Sequence, residues 1–320
     1  MIKKSPKIAA GIFVVGTVIA PTMASAESSE LTDAEKLESL TEKPAEELVI
    51  PLLKDKAEKM LVFVNNFTFR NGDIPLLNDA ANGITPSPKQ LCKYAEVLCL
   101  TSTKDLTLSE SGYRKLVSEN IELFIDAAAV GPTYQPGHAH ADTLSFELHL
   151  KGKPFIVDTG TSTYEINDSR FHERSTKAHN TVTINDENSS EVWAGHRVAK
   201  RANVTIHKDN SDSIVASHDG YLKRFRVRHR RDFMLSADGL TIIDDIQKEV
   251  GVAHFHFSPD ISFNISGSQI IGDDFNITFN NSNSIELKST YYSPEFNKRI
   301  ENNKLQVSFK GKLTTYITVK

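Results

Sequence analysis

The 320-residue chain has little cysteine: only Cys92 and Cys99. Two cysteines cannot build a disulfide framework. They stand seven positions apart in a stretch with helical spacing, roughly 10 Å along a helix axis. That is too far for a disulfide without unwinding, so they read as core thiols. Long apolar runs are also lacking. Residues 8–20 form a 13-residue apolar run, short of the ~20 needed to span a bilayer, and no other segment is apolar enough to cross. Positive charge is not in excess either. The formal net charge is -4, so nucleic acid is not suggested as a partner.

The N-terminus is readable despite these absences. Lys3, Lys4 and Lys7 precede the apolar run, Pro21 breaks it, and Ala24-Ser25-Ala26 offers an A-x-A cleavage site. This is the pattern of a secretory signal peptide over residues 1–26. Its removal takes three lysines, and -4 - 3 gives -7. The expectation is a periplasmic or secreted protein with no stable membrane span after cleavage.

Residues 27–128 read as helical. Thr32-Asp33-Ala34-Glu35 is a capping-box pattern. Leu53, Ala57, Met60, Leu61 and Val64 recur at helical spacing. Asn71-Gly72-Asp73 and Thr85-Pro86-Ser87-Pro88 punctuate loops. A third helix starts near Pro88 and carries the cysteines, and a fourth is predicted over residues 109–124. From about Ala127 the period changes. Leu144, Phe146, Leu148 and Leu150 alternate with polar residues, as in a half-buried strand. Short alternating segments continue to the C-terminus, including Ala253-His254-Phe255-His256-Phe257. Helices followed by many short strands predict an α+β chain, with a short helical segment ahead of a large antiparallel β-sandwich over residues 129–320.

The densest chemical signal is Gly137-His138-Ala139-His140-Ala141-Asp142-Thr143. Alternate residues of an extended backbone face one side, so His138, His140 and Asp142 can converge. Imidazoles at this spacing suit either a metal or proton transfer. A His-x-His-x-Asp also opens the metallo-β-lactamase pattern, but that pattern continues with histidine where Thr143 stands. This disfavours a hydrolytic metalloenzyme.

Two downstream elements narrow the reading. Asp158 lies in Ile156-Val157-Asp158-Thr159-Gly160, and His179 lies in Ala178-His179-Asn180-Thr181-Val182-Thr183-Ile184. Glu191-Val192-Trp193 follows. Together with Tyr134-Gln135-Pro136 and the His-x-His segment, these resemble the C-terminal domain of heparinase II/III-like polysaccharide lyases. The likeness is strong over residues 131–200 and weaker elsewhere. It implies that His138 takes part in proton transfer, and that His140, Asp158 and His179 hold a structural zinc. It also implies β-elimination on an acidic, uronate-containing polysaccharide. A base removes the proton alpha to the uronate carboxylate, and an acid protonates the leaving glycosidic oxygen.

The resemblance further implies a large α/α toroid ahead of the β-domain, supplying a carboxylate neutraliser and a tyrosine. Here about 100 residues precede the sandwich, read as a partial toroid. A separate toroid-domain protein is therefore an expected partner, with a non-catalytic, zinc-stabilised glycan-binding or scaffold module as the alternative. Tyr134 and Tyr164 are local candidates for the proton-transfer tyrosine, with Tyr134 placed in the site beside His138. Asn78 and Asp79 are read first as loop or capping residues. If residues 222–231 form a strand, Arg224, Arg226, Arg228 and Arg230 share one face and can bind carboxylates or sulfates. Arg170, Arg174 and Lys177 are further candidates for polyanion contact.

Overall fold

The computed structural model describes residues 45–101 and 108–320. The signal-peptide segment and the capping-box pattern at Thr32 lie outside them. No helix among the described residues is long and apolar enough to cross a membrane.

Two helices come first. Helix α1 (Ala45–Asn66) runs through Pro51 and buries Ala57, Val62 and Val64. Helix α2 (Pro88–Val97) opens with Pro88 in its first turn, behind a reciprocal cap between Ser87 and Gln90, which satisfies orphan N–H donors of the first turn. Both cysteines are free. Neither is a core thiol: Cys92 is half-buried and Cys99 is exposed. The reason is that α2 stops at Val97 and Cys99 turns left-handed (φ 55) beyond it.

The predicted fourth helix is instead a hairpin. Strands β1 (Tyr113–Val117) and β2 (Ile121–Asp126) pair antiparallel. All six residues of β2 are buried, and a strand covered on both faces shows no polar alternation to separate it from a helix. The β-part thus begins near 113 rather than 129. Strands β3 (Phe146–Leu150) and β4 (Lys153–Ile156) complete a four-stranded sheet in the order β1-β2-β3-β4.

The second sheet is larger. It runs β12-β13-β14-β15-β11-β10-β9-β8, with β5 (Val182–Ile184) added on β11. Its members are β8 (Val204–Asp209), β9 (Ser213–His218), β10 (His229–Leu235), β11 (Gly239–His256), β12 (Phe263–Ser266), β13 (Gln269–Gly272), β14 (Phe275–Tyr292) and β15 (Ile300–Val319). A separate hairpin joins β6 (Glu191–Trp193) to β7 (Arg197–Ala199). Two short helices, α3 (Asp168–Glu173) and α4 (Leu222–Phe225), lie in connections.

The core lies between the sheets. Leu123, Ile125, Phe146 and Leu148 of the small sheet meet Phe233, Ile242, Phe255 and Val307 of the large one. This is the sandwich expected from the alternation. On the outer face of the small sheet, Phe69 stands edge-on to Phe124 at 4.7 Å and lies flat on His149 at 3.5 Å. Glu122 accepts from the Arg70 backbone N–H at 3.0 Å and pairs with Lys115 at 3.2 Å. These contacts dock the helical segment on the sheet.

The arginine row does not form. Strands β9 and β10 pair with each other, so the segment between them must turn back. It does so through α4 and a left-handed Arg226 (φ 59), anchored by the buried Tyr221 hydroxyl donating to Val182 and Glu187 carbonyls. Arg224 pairs with Glu187 at 2.8 Å. Arg224, Arg226 and Arg228 therefore do not share a strand face.

Arg231 takes the structural role instead. It lies opposite Asp244 in the β10–β11 ladder, and both are fully buried. Its Nη1 also donates to the carbonyls of Leu144 and Asn180 at 2.8 and 2.6 Å. Burial alone would raise the Asp244 carboxyl, but Arg231 and His229 outweigh it and hold it at about 2. A depressed carboxyl contributes stability above its unfolded value, near 4. That contribution, roughly 2 kcal/mol, is lost as pH falls through about 2. Asp244→Asn is therefore expected to be less stable than wild type in urea at pH 7 and to approach it near pH 2. A pH-independent difference would contradict this.

Candidate functional site

The site sits where loops of the small sheet meet the chain leaving the helical segment. Asn78, with φ 55, makes the turn; asparagine tolerates this left-handed geometry. Its Oδ1 accepts from the His140 backbone N–H at 3.1 Å. The next residue, Asp79, is carried into the protein, where it becomes the hub. Its carboxylate takes His138 Nδ1 at 2.9 Å, His140 Nε2 at 2.8 Å and both terminal nitrogens of Arg170, one of them at 2.8 Å. Burial would raise this carboxyl, but bonds from His138, His140 and Arg170 hold it well below the carboxylate range.

One carboxylate therefore orients two imidazoles differently. Pro136, Gly137 and His138 form a 3-10 turn that breaks the expected alternation, so His138 meets His140 at the Asp79 carboxylate but stays out of the cluster of His140, Asp142 and His179. The His138 side chain is 56% exposed. With Nδ1–H donated to Asp79, its Nε2 faces outward with a free lone pair, the tautomer a proton-transfer histidine needs. Its hydrogen bond to Asp79 raises its pKa. His196, on the β6–β7 turn, stands 5.9 Å from it between ring centres, and Tyr164 stands 6.0 Å away. The Tyr164 hydroxyl is pushed up to about 12 by burial and by Asp79. Tyr134 is 66% exposed and does not line the adjoining cavity of about 410 Å³, which runs past Phe63, Phe67, Tyr113, Gln135, His138 and Tyr164. Tyr164, not Tyr134, is thus the tyrosine beside His138.

His140 is fully buried and turns the other way. Its Nε2 is on Asp79, so Nδ1 carries the lone pair. His179 donates Nδ1–H to Asp158 at 2.7 Å, which leaves Nε2 bare. His140, Asp142 and His179 bring ligand atoms within 4.8 Å of one another. Their buried atoms without a hydrogen-bond partner are His140 Nδ1, Asp142 Oδ2 and His179 Nε2. Buried polar atoms are nearly always partnered, so three orphans facing one point fit a cation. Two imidazoles and a carboxylate suit zinc.

The electrostatics agree. Asp126 is pushed well above the usual range by burial and by Asp142. Asp142 and Asp158 lie close by, and among the described residues none of the three forms an ion pair with lysine or arginine. The cluster of Asp79, His138 and His196 is also compact, but Arg170 already occupies its carboxylate. A second cation there would meet that guanidinium.

The sequence placed Asp158 among the metal ligands. Here it stands behind His179, with its other oxygen accepting from the Gly160 N–H at 3.0 Å, and Asp142 faces the pair of imidazoles. A carboxylate behind a ligating histidine fixes its tautomer and raises its basicity. Burial lowers His179, but Asp158 reverses this and raises it. Gly160 has φ +69, and a Cβ there would meet the Ser293 carbonyl at 2.1 Å, so only glycine allows this turn.

Asn180 shows why histidine is followed by asparagine. Its Nδ2 donates to Phe146 and Val157 carbonyls, and its Oδ1 accepts from the His256 N–H at 2.8 Å. It ties three strands at the base of the site. Arg170 and Arg174 are buried and so do not meet a polyanion. Arg174 donates to the Ala139 carbonyl at 2.9 Å, bracing the loop between the histidines. Glu173 pairs with Ser162, not with an arginine.

Comparison with known proteins agrees with this architecture. Residues 101–320 match the family described as heparinase II/III-like, C-terminal. A heparin-sulfate lyase of Bacteroides stercoris is 25% identical over 231 residues, covering 63% of this chain and 33% of that protein. A heparan sulfate lyase structure from Pedobacter heparinus superposes with a TM-score of 0.67 at 15% identity, over 98% of this chain and 51% of the other. A heparinase III structure gives 0.64 at 14% identity, over 98% and 53%. The chain thus spans a third of the curated relative and about half of these structures. With its sandwich, its site-bearing loops and the match across residues 101–320, the chain belongs to the heparinase II/III-like family.

Proposed function

We propose that this protein is a polysaccharide lyase-type protein that cleaves acidic, uronate-containing glycans by β-elimination outside the cytoplasm. The Asp79–His138 pair carries the reading. Asp79 fixes the His138 tautomer, and the open Nε2 faces the cavity mouth. His138 takes the proton alpha to the uronate carboxylate, and Tyr164, protonated at neutral pH, donates to the leaving glycosidic oxygen. The negative charge of Asp79 stabilises the imidazolium formed by proton uptake. Arg170 keeps Asp79 ionised and in place.

Zinc held by His140, Asp142 and His179 would supply fixed charge that ties together the loops carrying those residues. In this reading it activates no water. Its role is to hold the backbone between His138 and Asp142 in register.

Mixing the protein with heparan sulfate, alginate and other uronate polymers tests the proposal. Rising ultraviolet absorbance from an unsaturated uronate is the expected result, and a flat trace on all of them contradicts it. Asp79→Asn is expected to lower kcat by about tenfold or more, since a histidine in the wrong tautomer is a poor base. Unchanged kcat would remove Asp79 from the mechanism.

One observation favours a second reading, glycan binding without turnover. A phenol held near 12 lies far from the pH at which general acids work best.

A further inference from the structure

Strand β14 has an outer edge that the rest of the large sheet leaves open. Strand β13 pairs with it only over Asn276–Thr278, and the Phe279 N–H makes one further bond, to the Ser268 carbonyl at 2.9 Å. Register irregularities follow between Asn280 and Ser284. From Ser284 to Tyr292 the strand pairs residue by residue with β15, and among the described residues no strand pairs with its other side. The Ser293 N–H then donates to the Thr159 carbonyl at 2.7 Å. This stretch of edge is thus anchored at both ends.

A free edge presents unpaired N–H and C=O groups, a template for another strand. The side chains decide which strand is admitted. Ile285 and Leu287 lie opposite Val307 and Leu305, which are fully buried, so these two carry the core face out to the edge. Leu287 is still 47% exposed. Glu286 and Lys288 stand on the other face, pair with each other at 2.8 Å and are 56% and 51% exposed.

The two charges are opposite in sign and flank one apolar residue. Read antiparallel, the sequence around Leu287 therefore complements itself. With Leu287 opposite Leu287 of a second copy, Glu286 of each chain faces Lys288 of the other, an isologous two-fold contact. Neighbouring registers are penalised. Centring the pairing on Glu286 or on Lys288 puts two like charges opposite each other, which is destabilising. A slip of one residue sets the core face of one copy beside the outer face of the other. We infer that two copies of this chain associate through this edge, β14 antiparallel to β14, about a two-fold axis at Leu287, so that their large sheets become one. A second copy fits better than a foreign strand because the charge pattern matches itself. The contact does not depend on turnover.

Sedimentation equilibrium of the purified protein tests this. Wild type is expected to show a reversible monomer–dimer equilibrium. Glu286→Lys alone and Lys288→Glu alone each turn both cross-strand pairs into like-charge pairs, and each is expected to weaken dimerisation by about tenfold or more. Both side chains lie at the surface, where exchange leaves the fold intact. An equimolar mixture of the two single variants is expected to recover wild-type association, because every lysine then faces a glutamate of the other chain. The double exchange Glu286→Lys with Lys288→Glu should recover it too. A wild type that stays monomeric at about 0.1 mM overturns the inference. So does a dimer that both single variants keep at full strength, which places the contact elsewhere, or a loss that the mixture fails to restore.

Discussion

Replacing His138 with alanine is expected to lower kcat on a cleavable uronate polymer by about 10²–10⁴, the usual contribution of a positioned proton-transfer group. The expectation comes from geometry. His138 is the imidazole at the cavity mouth with one nitrogen locked on Asp79 and the other free. Stability is expected to change little, because the side chain is more than half exposed. Glycan affinity should also survive, since the ring is small and other groups line the cavity. A variant that loses turnover and keeps binding and melting temperature identifies a chemical role. A variant that keeps full turnover moves the chemistry to another residue, with His196 next to be tested.

The second large effect concerns the cation. Purified protein is expected to carry one zinc per chain, and stripping it should destabilise the fold by about 4 kcal/mol when free metal stands near a thousand times its dissociation constant. Three bare atoms converge on the proposed point, and removing the ion leaves Asp142 buried near Asp126 with no cation to offset their charges. His179→Ala should abolish binding. Asp142→Asn should weaken it more than Asp158→Asn, because Asp142 faces the orphan nitrogens while Asp158 acts through His179. The reverse order would restore Asp158 as the ligand. Metal analysis showing no divalent ion, with no effect of a chelator on unfolding, contradicts the centre outright.

The sandwich was legible because β3 alternates in sequence: Phe146, Leu148 and Leu150 point inward, while Glu147 and His149, buried as well, face the other way. Strand β2 was not legible, because Phe124 between Leu123 and Ile125 makes its second face apolar too and erases the period. The segment between β9 and β10 misled for a different reason. Alternating arginines fit a strand, but the pairing of β9 with β10 forces a turn that no local pattern announces.

In the site, the His-x-His segment was visible by spacing, and Asp158 and His179 were visible through the resemblance that their flanking residues carry. Asp79, Arg170 and His196 were not. Asp79 lies 59 residues before His138 and Arg170 lies 91 residues after Asp79, and such separations leave no trace in a window of sequence. Signals existed but were weak. Asn78-Asp79 marks a turn ahead of the domain, and Ala194-Gly195 marks the tight turn that brings His196 forward, with φ 46 and 73. The exclusion of His138 from the cluster of His140 and Asp142 was hidden by Pro136, which starts a 3-10 turn where alternation suggested an extended chain.

The most direct measurement of the central claim is the mass of the products from a defined uronate oligosaccharide. β-Elimination adds no water, so the two fragments are expected to sum to the mass of the parent, with the new non-reducing end unsaturated. His138→Ala should leave the parent intact. Fragments summing to the parent plus one water would show hydrolysis and contradict the account.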